Sequence, residues 1–280
     1  MAKKKRKKLK IFLIAFLITV LGTVLIVVPP MFMQTIDNSW SISSKIDNPP
    51  LMVAHRGLSS LAPENTVPAF EAAVEYGFDG YEFDLFTTKD GEWVVFHDDT
   101  VDALTDGTGA IPDMTLEQVK ELRVDAGNGI ENYSDVRIPT LREALSVCEG
   151  SDIFPVIEVK NCDPERIPAL MDTLEEYGLT DRAVLISFNS EYLEVCRELN
   201  EDIQMFFIVA SPEKADIDWC IDHNAGINFC FGYLAPSASA ISYARRNGVK
   251  IGVWTVDNIV FEDIMVLFGA EIITTNKILP

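Results

Sequence analysis

The sequence is poor in basic residues outside its first ten positions. Lys and Arg total 23 against 43 Asp and Glu, and seven of the 23 lie within residues 1–10, a basic tail without an acid. The other 270 residues therefore hold 16 basic and 43 acidic side chains, a formal net charge of −27. Contacts between basic side chains and phosphates supply most nucleic-acid affinity, so this composition argues against a nucleic-acid partner and against docking on anionic headgroups. A small anionic substrate would need a locally positive site.

Cysteine and histidine are scarce as well. The five cysteines are Cys148, Cys162, Cys196, Cys220 and Cys230. They show no metal-ligand spacing and their number is odd, so we expect isolated thiols and no disulfide or zinc site. Of the three histidines, His55 and His97 fall within one stretch of motifs, whereas His223 has no such company and we expect it to be solvated.

A long uncharged run follows the basic tail. Residues 11–28 carry no charge and end at Pro29-Pro30. About twenty apolar residues span a bilayer, so we predict a transmembrane helix over residues 11–30, with the basic N-terminus in the cytoplasm. A cleaved signal peptide is the alternative, but the run exceeds a usual signal-peptide core and no small-x-small cleavage site follows. The prediction is a single-pass cell-membrane protein in which residues 31–50 link the helix to an extracytoplasmic domain.

Eight short apolar runs alternate with helical patterns in residues 51–280. The runs lie near residues 51–55, 80–86, 153–159, 183–188, 203–209, 226–230, 250–254 and 271–275. This alternation predicts an α/β fold, a closed (β/α)8 TIM barrel with its active site at the carboxyl ends of the strands. An open doubly wound sheet is the alternative, although no Gly-x-Gly-x-x-Gly follows any run. Residues 98–139 form an insertion, for which we expect one short helix from Thr115 and no core of its own.

Charged residues stand at the ends of the first two runs. His55 and Arg56 follow the first run directly, and Glu82 and Asp84 are two residues apart in the second. Alternate residues of a strand point to one face, about 7 Å apart, so the two carboxylates repel each other unless a cation intervenes. Arg56 offers a guanidinium that can bind a phosphate oxygen.

A hairpin is expected to bring His97 to these acids. Asp90-Gly91 is a favoured two-residue hairpin loop, and counting back from it places His97 opposite Asp84 on the same face. A divalent cation on hard oxygen ligands, flanked by histidine, is the chemistry of metal-assisted phosphate-ester cleavage.

Two later strand ends carry further candidates. Glu158 and Lys160 are two residues apart and share a face, where they could form an internal ion pair or join the site. Trp254 ends the seventh run, where it could belong to the core or pack against a substrate above the barrel. The residues alone leave these alternatives open.

Together, these motifs resemble the glycerophosphodiester phosphodiesterase family. The resemblance is carried over residues 51–275 by His55-Arg56-Gly57, Pro63-Glu64-Asn65-Thr66, Glu82-x-Asp84, Lys89-Asp90-Gly91, His97-Asp98, Glu158-x-Lys160 and Val253-Trp254-Thr255-Val256. It implies a TIM barrel that hydrolyses glycerophosphodiesters to sn-glycerol 3-phosphate and an alcohol, with a small-molecule glycerophosphodiester or lysophospholipid-like compound as the substrate. A non-catalytic surface module that binds glycerophosphoryl groups of lipids or wall polymers is the alternative.

The resemblance also implies a role for each site residue. One divalent cation, Mg²⁺ or Ca²⁺, would be held by Glu82, Asp84 and Glu158. Arg56 and Lys160 would bind the phosphate, and Trp254 would contact the glycerol. His55 and His97 would form the general acid and base pair, in either order. The oligomeric state is not predicted.

Three positions depart from the pattern of the resembled family. Ala103 stands where an arginine is common, within the insertion that shapes substrate choice. Asp257 stands where asparagine is usual, and Asn276 lies near a usual aspartate. None of the three is a proposed metal ligand.

Overall fold

Eleven strands and eight α-helices make up residues 48–278, the part of the chain that the computed structural model describes. The strands are β1 (Leu51–Ala54), β2 (Gly80–Thr87), β3 (Trp93–Val95), β4 (Arg123–Val124), β5 (Val136–Arg137), β6 (Phe154–Asn161), β7 (Val184–Ser187), β8 (Gln204–Val209), β9 (Gly226–Cys230), β10 (Ile251–Trp254) and β11 (Ile272–Thr275). The helices are α1 (Val67–Glu75), α2 (Leu116–Glu121), α3 (Leu141–Ser146), α4 (Ile167–Glu176), α5 (Ser190–Leu199), α6 (Lys214–Asp222), α7 (Leu234–Arg246) and α8 (Ile259–Phe268).

Eight of these strands close into a parallel barrel. Their order around the ring is β1-β2-β6-β7-β8-β9-β10-β11, and β1 pairs with both β2 and β11, which closes the ring. Each barrel strand overlaps one of the eight apolar runs. The predicted α/β barrel is therefore confirmed.

Side chains alternate between the two faces of the barrel wall, as the period of a strand requires. In β2, Tyr81, Phe83 and Leu85 belong to the large core that also contains helix residues such as Phe70. A separate cluster fills the barrel interior from alternate positions of five strands: Val53, Val156, Val184, Ile186, Phe206, Ile208 and Ile272. The interior is thus packed with side chains, and a site at the strand ends has an apolar floor.

The hairpin that follows β2 differs from the prediction by one residue. Leu85 pairs with Val95, and the Phe96 N–H donates to the Asp84 carbonyl at 3.0 Å. Phe96, and not His97, therefore lies opposite Asp84, and the predicted two-residue loop is wrong. His97 lies beyond the end of β3, where strand alternation no longer sets the direction of its side chain.

The loop of this hairpin contains residues 89–91. The Thr88 hydroxyl donates to Asp90 Oδ1 and accepts from the Glu92 N–H at 2.9 Å, so its side chain stabilises the longer loop. Gly91 has a left-handed φ of 84°, the conformation that ends a three-residue hairpin loop.

The insertion of residues 98–139 has an apolar cluster, contrary to expectation. The cluster joins Phe86, Val94 and Phe96 of the hairpin to Val101, Ile111, Val119, Val124, Val136 and Ile138 of the insertion. The expected capping box is present at the start of α2, where Thr115 and Gln118 bond reciprocally. The insertion therefore packs against the extension of β2 and forms no independent unit.

The predicted transmembrane helix of residues 11–30 lies outside the described residues, as does the linker up to residue 47, and both stay predictions. Among residues 48–278, no helix is long and apolar enough to cross a bilayer.

Gly57, which follows His55-Arg56, should tolerate no side chain. Its φ is 74°, and a Cβ would lie 2.6 Å from the backbone carbon of Ala69. Gly77 has a φ of 73° with nothing within 4 Å of a Cβ, so it serves as a matched control. We expect Gly77→Ala to lower the free energy of unfolding by about 1–2 kcal/mol and Gly57→Ala by about 2–5 kcal/mol, as measured by urea denaturation. Equal losses would contradict the close approach at Gly57.

Candidate functional site

A cavity of about 170 Å³ opens at the carboxyl ends of the barrel strands. Its lining residues are His55, Arg56, Glu82, Asp84, His97, Glu158, Lys160, Ile186, Phe188, Ile208, Asn228, Trp254 and Thr274. Each barrel strand, or a residue just after it, contributes to this lining. All eight site residues that we nominate from the sequence are among them. The structure therefore brings the whole candidate set to one place.

Three buried carboxylates form one wall of the cavity. Glu82, Asp84 and Glu158 are 3%, 1% and 9% exposed. Each offers one oxygen, and these oxygens lie within 4.8 Å of one another. Asp84 and Glu158 are direct partners in the pairing of β2 with β6. Since hard divalent cations prefer carboxylate oxygens, this wall can hold such an ion.

Two left-handed residues orient the carboxylates. Arg56 and Asn65 both have a φ of 56°. The Arg56 backbone N–H donates to Glu82 Oε2 at 2.8 Å, and Asn65 Nδ2 donates to Asp84 Oδ2 at 2.8 Å. Non-glycine residues adopt this conformation rarely and mostly at functional sites. The turns after β1 thus place hydrogen-bond donors on two of the three carboxylates.

Arg56 and Lys160 bring positive charge to the same wall. Lys160 Nζ lies 3.4 Å from Glu158 Oε1 and 3.5 Å from Asp84 Oδ1, so the ion pair considered from the spacing is present. Arg56 Nη1 donates to Glu64 Oε1 at 2.7 Å. Its Nε is buried and lies 3.7 Å from Asp84 Oδ2. This atom has no hydrogen-bond partner among the described residues.

The charges that line the cavity nearly balance. Three ionised carboxylates face one guanidinium and one ammonium, which leaves a net charge of −1 while both histidines are neutral. A divalent cation would change this to +1. An acidic protein can therefore present a locally positive site to a phosphodiester anion.

A chain of hydrogen bonds fixes the ring of His55. Its Nδ1 lies 2.7 Å from Asn276 Oδ1, and Asn276 Nδ2 donates to Asp257 Oδ2 at 2.9 Å. Because an ionised carboxylate only accepts hydrogen bonds, the amide oxygen faces His55, whose Nδ1 must carry the hydrogen. The lone pair of His55 Nε2 is then free, 4.0 Å from Glu82 Oε2. His55 is arranged to accept a proton.

His97 reaches the cavity from the hairpin with a different support. Its Nδ1 donates to Asp98 Oδ1 at 2.8 Å. The group that orients His97 is a carboxylate, whereas the amide beside His55 carries no charge. The two histidines thus differ in the group that orients them.

The opposite wall is largely apolar. Ile186 and Ile208 line it, and Phe188, which is 52% exposed, lies at its rim. The Phe188 ring meets Trp254 edge to face, with centroids 6.0 Å apart. Trp254 is therefore a half-buried lining residue and not plain core. Its Nε1 and Asn228 Oδ1 are buried without hydrogen-bond partners among residues 48–278.

Burial and like charges perturb the titration of the site. Burial, together with Asp84 and Glu158, raises the pKa of Glu82 well above its usual range. Burial and Asp84 raise the pKa of Glu158 to about 7, against the opposing effect of Lys160. Burial and the Arg56 charge lower the pKa of His55. Without a cation, Glu82 and Glu158 retain protons towards neutral pH, and a bound cation would replace those protons.

Several residues that support the site are not among the site residues predicted from the sequence. Asn276 and Asp257, two departures from the resembled family's pattern, bond to each other beside His55. Asn65 holds Asp84 although its motif gives no sign of this contact. Asn228 lies among apolar residues of β9. The only sequence feature that could have indicated its role is an amide within a buried strand, because a buried amide needs a hydrogen-bond partner.

His223 and the cysteines lie outside the cavity lining. His223 stacks on Trp219, with ring centroids 4.3 Å apart, and is half-buried, so the expectation that it is solvated is wrong. All five cysteines are free thiols, as expected.

Comparisons with known proteins agree with this geometry. The model of the glycerophosphoryl diester phosphodiesterase family matches residues 55–279. A glycerophosphodiester phosphodiesterase of Caldanaerobacter subterraneus is 34% identical over 230 residues, which cover 81% of this chain and 93% of that protein. YhdW of Bacillus subtilis is 46% identical over 214 residues, which cover 74% of this chain and 86% of that protein.

A solved structure shows the same fold. A phosphodiesterase of Oleispira antarctica, in complex with the product sn-glycerol-3-phosphate, superposes with a TM-score of 0.75 at 26% identity. The superposition covers 81% of this chain and 93% of that chain.

The raised pKa of Glu158 predicts how stability depends on pH. The folded protein keeps a proton that the unfolded chain releases near 4.5, so the free energy of unfolding should fall as pH rises from 4.5 to about 7. The shift corresponds to a loss of about 3 kcal/mol. Because Mg²⁺ or Ca²⁺ binds the ionised acids, its stabilising effect should grow over the same pH range. Urea unfolding from pH 4.5 to 8, with chelator or with cation, measures both effects.

Two variants control this measurement. Glu158→Gln should flatten the pH dependence in chelator, and Glu175→Gln, at an exposed position of α4, should leave it unchanged. A Glu158→Gln variant that keeps the wild-type pH dependence in chelator would contradict the raised pKa of Glu158.

Proposed function

The chain belongs to the glycerophosphoryl diester phosphodiesterase family, and we propose that it hydrolyses glycerophosphodiesters to sn-glycerol 3-phosphate and an alcohol with one divalent cation. The observation that carries this proposal is the single cavity wall on which three buried carboxylates, two cationic side chains and two histidines meet. Phosphodiester hydrolysis needs these parts: a site for a cation, groups that bind the phosphate and a pair that transfers protons.

Glu82, Asp84 and Glu158 would hold the cation. Three carboxylate oxygens within 4.8 Å of one another suit Mg²⁺ or Ca²⁺, both of which prefer oxygen ligands. When bound, the cation neutralises charge and polarises a phosphate oxygen. Asn65 and the Arg56 backbone N–H keep two of the carboxylates in place before any ion arrives.

Arg56 and Lys160 would bind the phosphate. The Arg56 Nε has a hydrogen to donate and no partner among the described residues, so a phosphate oxygen at this wall would satisfy it. The Lys160 ammonium lies between Glu158 and Asp84 and can turn one of its three hydrogens to the substrate. Both groups would also stabilise the charge that develops on the phosphate oxygens.

We assign the base role to His55 and the acid role to His97. His55 has a lowered pKa and a free Nε2 lone pair, so it can take the proton of the attacking hydroxyl. His97 lies 2.8 Å from the Asp98 carboxylate, which orients its ring, and it would protonate the leaving oxygen. The sequence left this order open, and the different supports of the two rings favour this assignment.

The domain is proposed to work on the outer face of the cell membrane. This placement rests on the uncharged run of residues 11–28 and its basic flank, together with the acidic composition of the remainder. Protease digestion of intact cells should cut the domain if it lies outside, and full protection would contradict the placement.

Product formation tests the proposed activity. We expect the purified protein to release sn-glycerol 3-phosphate from glycerophosphocholine or glycerophosphoethanolamine when Mg²⁺ or Ca²⁺ is present, and a chelator to abolish the release. Glu82→Gln should lose activity at limiting cation and recover in part with excess, because an amide is a weaker ligand than a carboxylate. Glu175→Gln is the matched surface control. Binding of these compounds without release would instead favour a non-catalytic surface module.

The acid role of His97 predicts a dependence on the leaving group. His97→Ala should slow hydrolysis of a poor leaving group by about 10²–10⁴-fold, and it should slow release of p-nitrophenol far less, because that group departs without a proton. Steady-state turnover on both substrates measures the difference, with His223→Ala as the control outside the cavity. Equal losses on both substrates would remove the acid role from His97.

A further inference from the structure

We propose that Asn228 selects the glycerol end of the substrate by binding the glycerol hydroxyl farthest from the phosphate. The proposal rests on the proposed hydrolysis of glycerophosphodiesters. Asn228 is 5% exposed and lines the catalytic cavity. Its Oδ1 is buried and has no hydrogen-bond partner among residues 48–278. Buried amide groups in native proteins are almost always hydrogen-bonded, so an unpaired acceptor on a residue that lines a substrate cavity points to a donor on the ligand.

The position of β9 in the barrel sets which part of the substrate Asn228 can reach. In the ring of eight strands, β9 is four strands from β2 in either direction, so Asn228 faces Glu82 and Asp84 across the cavity. The phosphate is proposed to lie on the side of these acids, with Arg56 and Lys160. One ester substituent of the phosphate must therefore extend towards β9. A cavity of about 170 Å³ suits a small three-carbon polyol.

The neighbouring strand β10 leaves room for the amide. Gly252 is the direct partner of Asn228 in the pairing of β9 with β10. A Cβ at Gly252 would come within 3.0 Å of Asn228 Oδ1, closer than most side-chain contacts allow. The amide of Asn228 therefore occupies the space where any other residue at position 252 would place a side chain.

The same strand supplies the complementary donor. Trp254 lies two residues after Gly252 on the same face of β10, and its Nε1 is also buried without a partner among the described residues. A hydroxyl group both donates and accepts a hydrogen bond. One glycerol hydroxyl can thus donate to Asn228 Oδ1 and accept from Trp254 Nε1, and Ile186 and Ile208 on the adjoining strands offer no competing polar group.

A pair of substrates isolates this contact. Glycerophosphocholine has the terminal hydroxyl, and its analogue with propane-1,2-diol in place of glycerol lacks only that group while it keeps the hydroxyl next to the ester. We expect wild-type kcat/KM to favour glycerophosphocholine by about 10–100-fold, the loss that follows when a buried polar group is left unpaired. Asn228→Leu keeps the approximate shape and removes the acceptor. It should lower kcat/KM for glycerophosphocholine by about the same factor and leave the analogue unchanged, so that the preference disappears.

Two further variants test the geometry. Gly252→Ala should push the Asn228 amide aside without removing it, and the preference should fall in part. Ile208→Val changes the apolar lining without touching a polar group, so it should alter both substrates by the same factor. Thermal unfolding followed by circular dichroism confirms that each variant is folded.

The outcomes separate this proposal from the proposed function. A wild-type enzyme that hydrolyses neither substrate contradicts the function, and the role of Asn228 fails with it. A wild-type enzyme that hydrolyses both substrates equally well contradicts the role of Asn228 alone. Equal losses of activity on both substrates in Asn228→Leu would also contradict the role of Asn228 alone, because an amide that binds only ordered water would give this result. If Asn228→Leu does not fold, an unchanged preference in Gly252→Ala overturns the proposal.

Discussion

Repulsion among three buried carboxylates is the physical constraint that the other groups of the cavity must offset. Glu82, Asp84 and Glu158 come within 4.8 Å of one another because β2 and β6 are adjacent parallel strands in register. The barrel holds these strands by backbone pairing on both sides, so the acids cannot move apart. The hydrogen-bond and ion-pair partners of the three acids are N–H donors and the side chains of Arg56 and Lys160. The wall can therefore attract a further positive charge, and this is why a metal ion is proposed there.

The groups proposed for the reaction and those proposed for substrate recognition lie on different strands of the barrel. The groups proposed to bind the ion and phosphate lie on or after β1, β2 and β6, whereas β7 to β10 provide the apolar lining and the residues proposed to bind a hydroxyl group. In a closed barrel these two sets face each other across the interior, so a small molecule can touch both at once. The packed layer of Val156, Val184 and Phe206 beneath them stops the substrate from sinking further. Depth and orientation are thus set by rigid strands and not by loops.

Much of this arrangement follows from the sequence. Strands buried on both faces read as continuous apolar runs, and this is why all eight were found to within a few residues. The prediction that acids two residues apart share a face was correct because the side chains of a strand alternate with a fixed period of two residues. The hairpin failed because the Asp90-Gly91 pair suits loops of two or three residues, and the Thr88 hydroxyl decided between them. His55 and Asn276 are 221 residues apart, so no local pattern could reveal their contact.

Residues of β2 pack in two separate hydrophobic clusters, and this limits how far the insertion can move relative to the site. Its first half pairs with β1 inside the barrel, and its second half pairs with β3 and shares the apolar cluster of the insertion. Asn128 of the insertion also donates to the carbonyl of Ser59, in the segment that follows β1. Because these contacts hold the insertion at both places, it cannot move as a lid without breaking the shared apolar cluster. Phe188, at the rim of the cavity, is 52% exposed, so a substrate that enters beside it can keep its larger alcohol group in solvent.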